Sequence, residues 1–277
     1  MAPAVRPAAA ESTILPRSLP KSVDRDVPRY WFADNAIATQ ISNGVNILFP
    51  AGERFFVRSV KHYLDRIDDP KLRADVKGFF GQEGRHAKEH DLVAEILEAQ
   101  GYDLSGFFRV YEKLAFGVLE KRVPPSLRLA ATAAAEHFTA ILAEDALRMN
   151  ALDLCDPSMR ALLLWHAAEE IEHRAVAFDV LQTVAPDYTT RIAGLAIATT
   201  CLGGFWFLGA ATLLVQDGKR DFPRLVRDLK RLREVPRRDR SVFLRGIREY
   251  FRRDFHPKDK DTDALAIAYL RSQGMAA

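Results

Sequence analysis

The stretch Trp165-His166-Ala167-Ala168-Glu169-Glu170-Ile171-Glu172-His173 decides how this 277-residue chain reads. Glu170 and His173 are three apart, and His166 precedes Glu170 by four. On a helix, residues at these spacings share a face, so the three form one stripe of a carboxylate between two imidazoles. Glu83-Gly84-Arg85-His86 repeats the Glu-x-x-His spacing earlier in the chain. Two lone glutamates stand in apolar surroundings: Glu53 before Arg54-Phe55-Phe56, and Glu136 after Ala133-Ala134-Ala135 and before Phe138. A carboxylate on such a face is costly to bury without a partner. That cost is a reason to look for one.

In chain order the chain supplies Glu53, Glu83-x-x-His86, Glu136 and Glu170-x-x-His173. One Glu from each of two helices and a Glu-x-x-His from each of two others is the ligand set of ferritin-like di-iron and di-manganese carboxylate bundles. The separations of 30 residues (Glu53 to Glu83) and 34 (Glu136 to Glu170) suit antiparallel neighbours joined by short turns. Carboxylates and imidazoles without thiolate suit iron or manganese, with zinc also accommodated. The expected cofactor is therefore two iron ions, with Mn/Fe or zinc as alternatives. The expected metal residues are Glu53, Glu83, His86, Glu136, His166, Glu170 and His173.

Working outward, the helical pattern is long and repeated. Pro50 opens a helix running to about Ile67. Asp69-Pro70 opens another whose apolar spacing continues to Gly101, roughly 45 Å at 1.5 Å per residue. A shorter helix covers Leu104–Lys121. Pro125 opens a third long one to about Asn150, and Asp156-Pro157 a fourth continuing to about Val184. No P-loop, G-x-G-x-x-G or sustained strand alternation occurs. The fold class is all-α: a ferritin-like four-helix bundle with additional C-terminal helices. Residues 1–28 read as a disordered or loosely draped arm, 29–190 as the bundle, 191–216 as an apolar helical segment and 217–277 as a basic helical tail.

Only two cysteines occur, Cys155 and Cys201, in no paired motif, which argues against thiolate metal sites and fits a reducing compartment. No secretory signal is evident at the N-terminus. The net charge of +3 conceals a basic region, because residues 217–260 hold 16 Lys/Arg against 8 Asp/Glu. Ile192 to Val215 is 24 residues without a charge, enough to cross a hydrocarbon core or to form a buried central helix. Gly203-Gly204 divides it, so a re-entrant or in-plane helical pair is a third reading. With the basic tail following at once, an anionic membrane surface is the expected partner. The expected location is the cytoplasmic side of the inner membrane, peripheral or monotopic, and otherwise the cytoplasm. Nothing resembles a nucleic-acid-reading motif, and a homodimer is left open.

Two resemblances in residues bear on activity. The string of His166, Glu170 and His173, with the earlier Glu, Glu-x-x-His and Glu, resembles the p-aminobenzoate N-oxygenase family, which implies that the extra histidine completes a di-iron site. Over most of residues 28–255 the chain resembles a bacterial family described as predicted metal-dependent hydrolases. That resemblance is carried by Tyr30-Trp31, Phe49-Pro50-Ala51-Gly52-Glu53, Gly81 through His86, and Trp165-His166 through His173. The ligand set leads to the expectation of a dimetal oxygenase or oxidase that uses O2 and an external electron donor on an apolar or amphipathic small molecule. A dimetal hydrolase using a metal-bound water, and a non-catalytic membrane-associated or iron-binding helical protein, are the alternatives. Among neighbouring groups, His90 is read as an outer partner or a satisfied histidine, His137 as structural, and Glu169 and Glu172 as facing solvent or bonding the ligand histidines.

Overall fold

The computed structural model describes residues 14–148, 150–235 and 240–275. Among the described residues twelve α-helices follow in order: α1 (Ala36–Asn46), α2 (Phe49–Lys61), α3 (Pro70–Ala99), α4 (Ser105–Tyr111), α5 (Glu120–Arg122), α6 (Pro125–Arg148), α7 (Pro157–His173), α8 (Val176–Val184), α9 (Tyr188–Arg220), α10 (Phe222–Arg231), α11 (Arg240–Tyr250) and α12 (Asp263–Ser272). Between α4 and α5 the chain is a π-helix, Glu112–Leu119. No strand occurs among the described residues, and the class is all-α. Starts follow cap chemistry. The side chains of Asn35, Asp69 and Asp156 accept backbone N–H bonds at the heads of α1, α3 and α7, the last two with proline just inside.

α2 pairs with α3 and α6 with α7, and the two pairs close on each other as a four-helix bundle. α9 lies along α6 and α1. Since α6 has neighbours on every side, all residues from Leu129 to Thr139 are buried. Its run of alanines is what lets those neighbours approach. At Gly194 of α9 an added Cβ would lie 2.4 Å from the Ala130 backbone carbon, so only glycine fits. Gly194→Val should lower stability by about 1–3 kcal/mol through overpacking. Gly203→Ala, where nothing described lies within 4 Å, should hold or slightly raise it. Thermal melting of the two variants checks this contrast.

Several expectations are corrected. The fourth long helix does not run unbroken to Val184. It breaks after His173, where the buried Arg174 guanidinium turns to bond the Ile171 carbonyl, the Pro257 carbonyl (3.2 Å) and Asp263. The helix after Pro50 ends at Lys61, and a 3-10 turn covers Leu64–Arg66. Gly203-Gly204 does not divide the apolar run, because α9 is one continuous helix across it. Residues 14–28 are not loose: Ile14, Leu19, Val23 and Val27 are buried against the bundle. The rest of the expected arm, 1–13, lies outside the described residues. Beyond 217 the chain also packs back, with Tyr250, Phe255, Ala266 and Leu270 in the core. Buried Asp228 of α10 accepts the Ala36 N–H at the head of α1.

α9 is long and apolar enough to cross a membrane by length and composition, and 22% of its apolar window is buried in the protein.

Candidate metal centre

The bundle brings all seven sequence-expected residues together. Glu53 comes from α2, Glu83 and His86 from α3, Glu136 from α6, and His166, Glu170 and His173 from α7, none more than 4% exposed. Three triads each have potential ligand atoms within 4.8 Å of one another: Glu53/His86/His166, Glu83/Glu136/His173 and Glu83/His86/Glu170.

The middle of the cluster is defined by two carboxylates. Glu83 Oε1 is 3.3 Å from His173 Nε2 and 3.6 Å from His86 Nδ1. Glu170 Oε1 is 3.3 Å from His173 Nε2, 3.7 Å from His86 Nδ1 and 2.9 Å from His166 Nε2. Both stand between the histidines. Glu136 Oε2 flanks His173 Nε2 at 3.2 Å, and Glu53 Oε1 lies 3.8 Å from His166 Nε2 at the other end.

Each histidine is oriented by a bond on its far nitrogen. His86 Nε2 pairs with Glu169 Oε2 at 3.0 Å, leaving Nδ1 toward the centre. His173 Nδ1 donates to Gln82 Oε1 at 2.8 Å, leaving Nε2 inward. His166 Nδ1 pairs with His90 Nε2 at 2.7 Å, so His90 is an outer partner. Rings wedge them: Phe79 on His173, Trp165 on His86 and Phe49 on His166. His137 is structural, bonding the Gly246 carbonyl at 2.8 Å. Fixing the tautomer through the outer nitrogen is what metal-binding histidines generally require.

Two residues of this outer network carried no sequence-derived role. Gln82 Nε2 donates onward to Glu172 Oε2 at 2.9 Å. Arg17, from the arm, grips Glu172 with both terminal nitrogens (2.5 and 3.0 Å). Its backbone N–H donates to Glu169 Oε1 at 3.1 Å. One residue thus supports both Glu169, the partner of His86, and Glu172, which holds the Gln82 partner of His173. Gln82 was legible only as the neighbour of Glu83. Arg17 left no signal, because its Pro- and Ser-rich surroundings resemble disorder. Gln82→Ala and Glu169→Gln should each weaken metal binding 10–100-fold, read by competition with a chromophoric chelator.

The electrostatics describe a cage of surplus negative charge. Burial, then Glu170 and Glu136, holds the Glu53 carboxyl well above the usual range. Burial, then Glu136, does the same to Glu83. Burial and Glu170 push Glu136 up to about 7 against the pull of His173. Burial opposes the charge on Glu170 too, but His173 and His166 hold it well below the ordinary value, and Glu170 and Glu136 raise His173. Both oxygens of Glu53, Glu83 and Glu136, with Glu170 Oε2, His86 Nδ1 and His173 Nε2, lack a hydrogen-bond partner among the described residues. Buried polar atoms left so are rare in proteins. A pair of cations in their midst would satisfy all of them, so the donor set fits two metal ions.

An apolar cavity of about 120 Å³ adjoins this cluster at Glu53. Glu53 is the one candidate ligand in its wall. Phe55, Tyr111, Ala135, Ala198 and Phe205 line much of the rest.

An all-α bundle enclosing a carboxylate–imidazole cluster of this kind defines a metal-dependent helical protein. The chain belongs to the family described as "Predicted metal-dependent hydrolase", whose model matches residues 16–261. No curated protein and no solved structure matches it. The resemblance to the N-oxygenase family gains no support from these comparisons.

Proposed function

We propose that the chain is a dimetal hydrolase that cleaves an ester or amide bond in an apolar or amphipathic small molecule. The observation that carries the reading is a seven-residue cluster with unpartnered, inward-facing ligand atoms, one of whose glutamates also lines a carbon-walled cavity. This reverses the order of the sequence expectation, in which oxygenase chemistry came first; the family description supports hydrolysis better. Glu53, Glu83, His86, Glu136, His166, Glu170 and His173 would hold the ions. The ions, when bound, supply a water acidic enough to attack at neutral pH and a Lewis acid for the carbonyl.

The chain's own groups supply the remainder. Glu53, the candidate ligand that also lines the cavity, would hold its ion against the reacting end of the substrate, and the proton of the attacking water would end on the leaving alcohol or amine. Phe55, Phe205 and Ala198 bind the apolar part of the substrate and exclude bulk water. The Tyr111 hydroxyl, which also lines the cavity, donates to the Leu48 carbonyl at 3.2 Å and keeps its proton there.

The test is hydrolysis of p-nitrophenyl esters of rising acyl length by protein loaded with zinc, manganese or ferrous iron, against chelated protein. Metal-dependent turnover that improves with chain length is expected. Ala198→Trp, which fills the cavity, should raise KM for the longer esters at least tenfold while leaving two ions bound.

A second reading, O2-dependent oxidation of the same class of substrate, is favoured by one feature: the third histidine, His166, on the stripe of Glu170 and His173 makes the donor set richer in nitrogen. Oxygen uptake with a reductant, and no ester turnover with any metal, would select it.

A further inference from the structure

We propose that the outward face of α9 together with α10 docks on an anionic lipid bilayer, and that the apolar cavity opens beside this face, so an acyl-bearing substrate reaches Glu53 from lipid. The route for substrate rests on the hydrolase reading above; the docking does not.

α9 is not an isolated span. Its inner side is seated on α6 and α1, so closely that Gly194 meets the Ala130 backbone and Gly44 meets Ala210. The opposite side is exposed at Ala193, Ala196, Thr200, Gly203, Phe207 and Val215. No charge interrupts this stripe over some 22 residues, about 33 Å of helix. A water-facing helix side of that length ordinarily carries charges. Phe207 at its middle is 76% exposed.

α10 supplies a second, independent observation. It follows α9 after the single residue Asp221, and Phe222, Val226 and Leu229 recur at helical spacing on one side, with Phe222 64% and Leu229 61% exposed. Arg224, Arg227 and Arg231 occupy the other side, Lys230 flanks the stripe, and Lys219 and Arg220 end α9. Asp228 fixes the helix to α1, so its apolar side is held outward rather than folded in. An apolar stripe flanked by arginine and lysine is the pattern of a helix lying in the headgroup layer of anionic lipid. A second copy of the chain would meet like charge with like charge along α10, which disfavours self-association through this face.

The cavity connects the two ideas. Its wall includes Ile197, Cys201 and Phe205, half-buried residues of α9 on the stripe adjacent to the outward one. Glu53, 1% exposed, lines the same cavity. A chain entering on the α9 side would stay among carbon atoms as far as Glu53.

The experiment uses the full chain and vesicles of phosphatidylcholine alone or with about a third phosphatidylglycerol. Co-sedimentation should be strong only with the anionic vesicles and weaken with salt. Trp31 and Trp165 are buried, whereas Trp206 adjoins the exposed stripe, so brominated acyl chains should quench Trp206 fluorescence. Phe222→Asp with Leu229→Asp should lower vesicle affinity at least tenfold with helix content and metal content unchanged. Ile267→Asp, an exposed apolar site on α12, should bind as the parent does. Absence of vesicle binding, equal binding to neutral vesicles, or a dimer dissociated by Phe207→Asp would each overturn the proposal. With docking shown, loss of turnover on vesicle-embedded ester but not on a short soluble ester in the α10 double variant supports lipid entry. Turnover on embedded ester undiminished in that variant overturns it. If neither ester is cleaved by any loaded form, the hydrolase reading falls while the docking result stands.

Discussion

Glu83→Gln should abolish binding of both metal ions, whereas Glu53→Gln should leave one. Glu83 belongs to two of the three candidate triads and faces both His173 Nε2 and His86 Nδ1, while Glu53 belongs to one. Glutamine keeps the shape but replaces an anion with a neutral amide whose N–H groups repel a cation. Elemental analysis should fall from two ions per chain to below one for Glu83→Gln, with turnover lost. The stability effects should have opposite signs in the two states. Without metal, the substitution removes one of four mutually repelling buried carboxylates, so the metal-free variant should melt at or above the metal-free parent. With metal, the parent gains roughly 4 kcal/mol at a thousandfold excess over Kd, and the variant should gain almost none. Two tightly held ions in Glu83→Gln would show that this carboxylate does not join the two halves of the site.

The metal cluster was more legible in the chain than its supports, and the reason is physical. Spacings of three and four residues carry the geometry of one helix face, so Glu83 with His86, and His166 with Glu170 and His173, could be placed before any tertiary contact was known. Glu53 and Glu136 were legible because a lone carboxylate among Phe and Ala must be costly unless something pairs with it. The supports depend on long-range pairing. Arg17 meets Glu172 across 155 residues, and Gln82 meets His173 across 91, with no periodicity to announce either. The break after His173 depends on carbonyls from residues 257 and 260 receiving Arg174. The cavity wall is assembled from α2, the π-helical turn, α6 and α9, which no local window contains. Oxygenase and hydrolase chemistry could not be separated from the ligand residues, because both reactions use carboxylates and imidazoles around two ions.

Stability of the metal-free chain should decline from pH 6.5 toward pH 8, and metal should reverse the decline. Burial lowers the pKa of His86, His90 and His137, the last to about 4. Unfolded histidine titrates near 6.5, so below that pH the unfolded chain binds protons that the folded chain refuses. Stability attributable to these groups therefore rises with pH up to about 6.5 and then levels. The glutamates run the other way. An unfolded Glu loses its proton near 4.5, whereas folded Glu136 keeps it to about 7 and folded Glu169 to about 8, burial being the main cause in each. A group raised in this way removes stability as pH climbs from the unfolded value to the folded one. Above 6.5 the histidine contributions are complete and the glutamate losses continue, with Glu53 and Glu83 raised in the same direction. His173, raised well above its ordinary value, adds to the fall, since its stabilisation is lost as pH rises through the folded pKa. At about 1.4 kcal/mol per unit, Glu169 alone accounts for roughly 2 kcal/mol between pH 6.5 and 8. Bound metal needs the carboxylates ionised and the imidazoles neutral, so binding expels these protons and strengthens over the same interval. Melting curves at half-unit steps from pH 6 to 8, with and without chelator, should diverge steadily. A metal-free melting temperature that stays level or rises across that interval would mean that the buried carboxylates are not crowded as the structure places them.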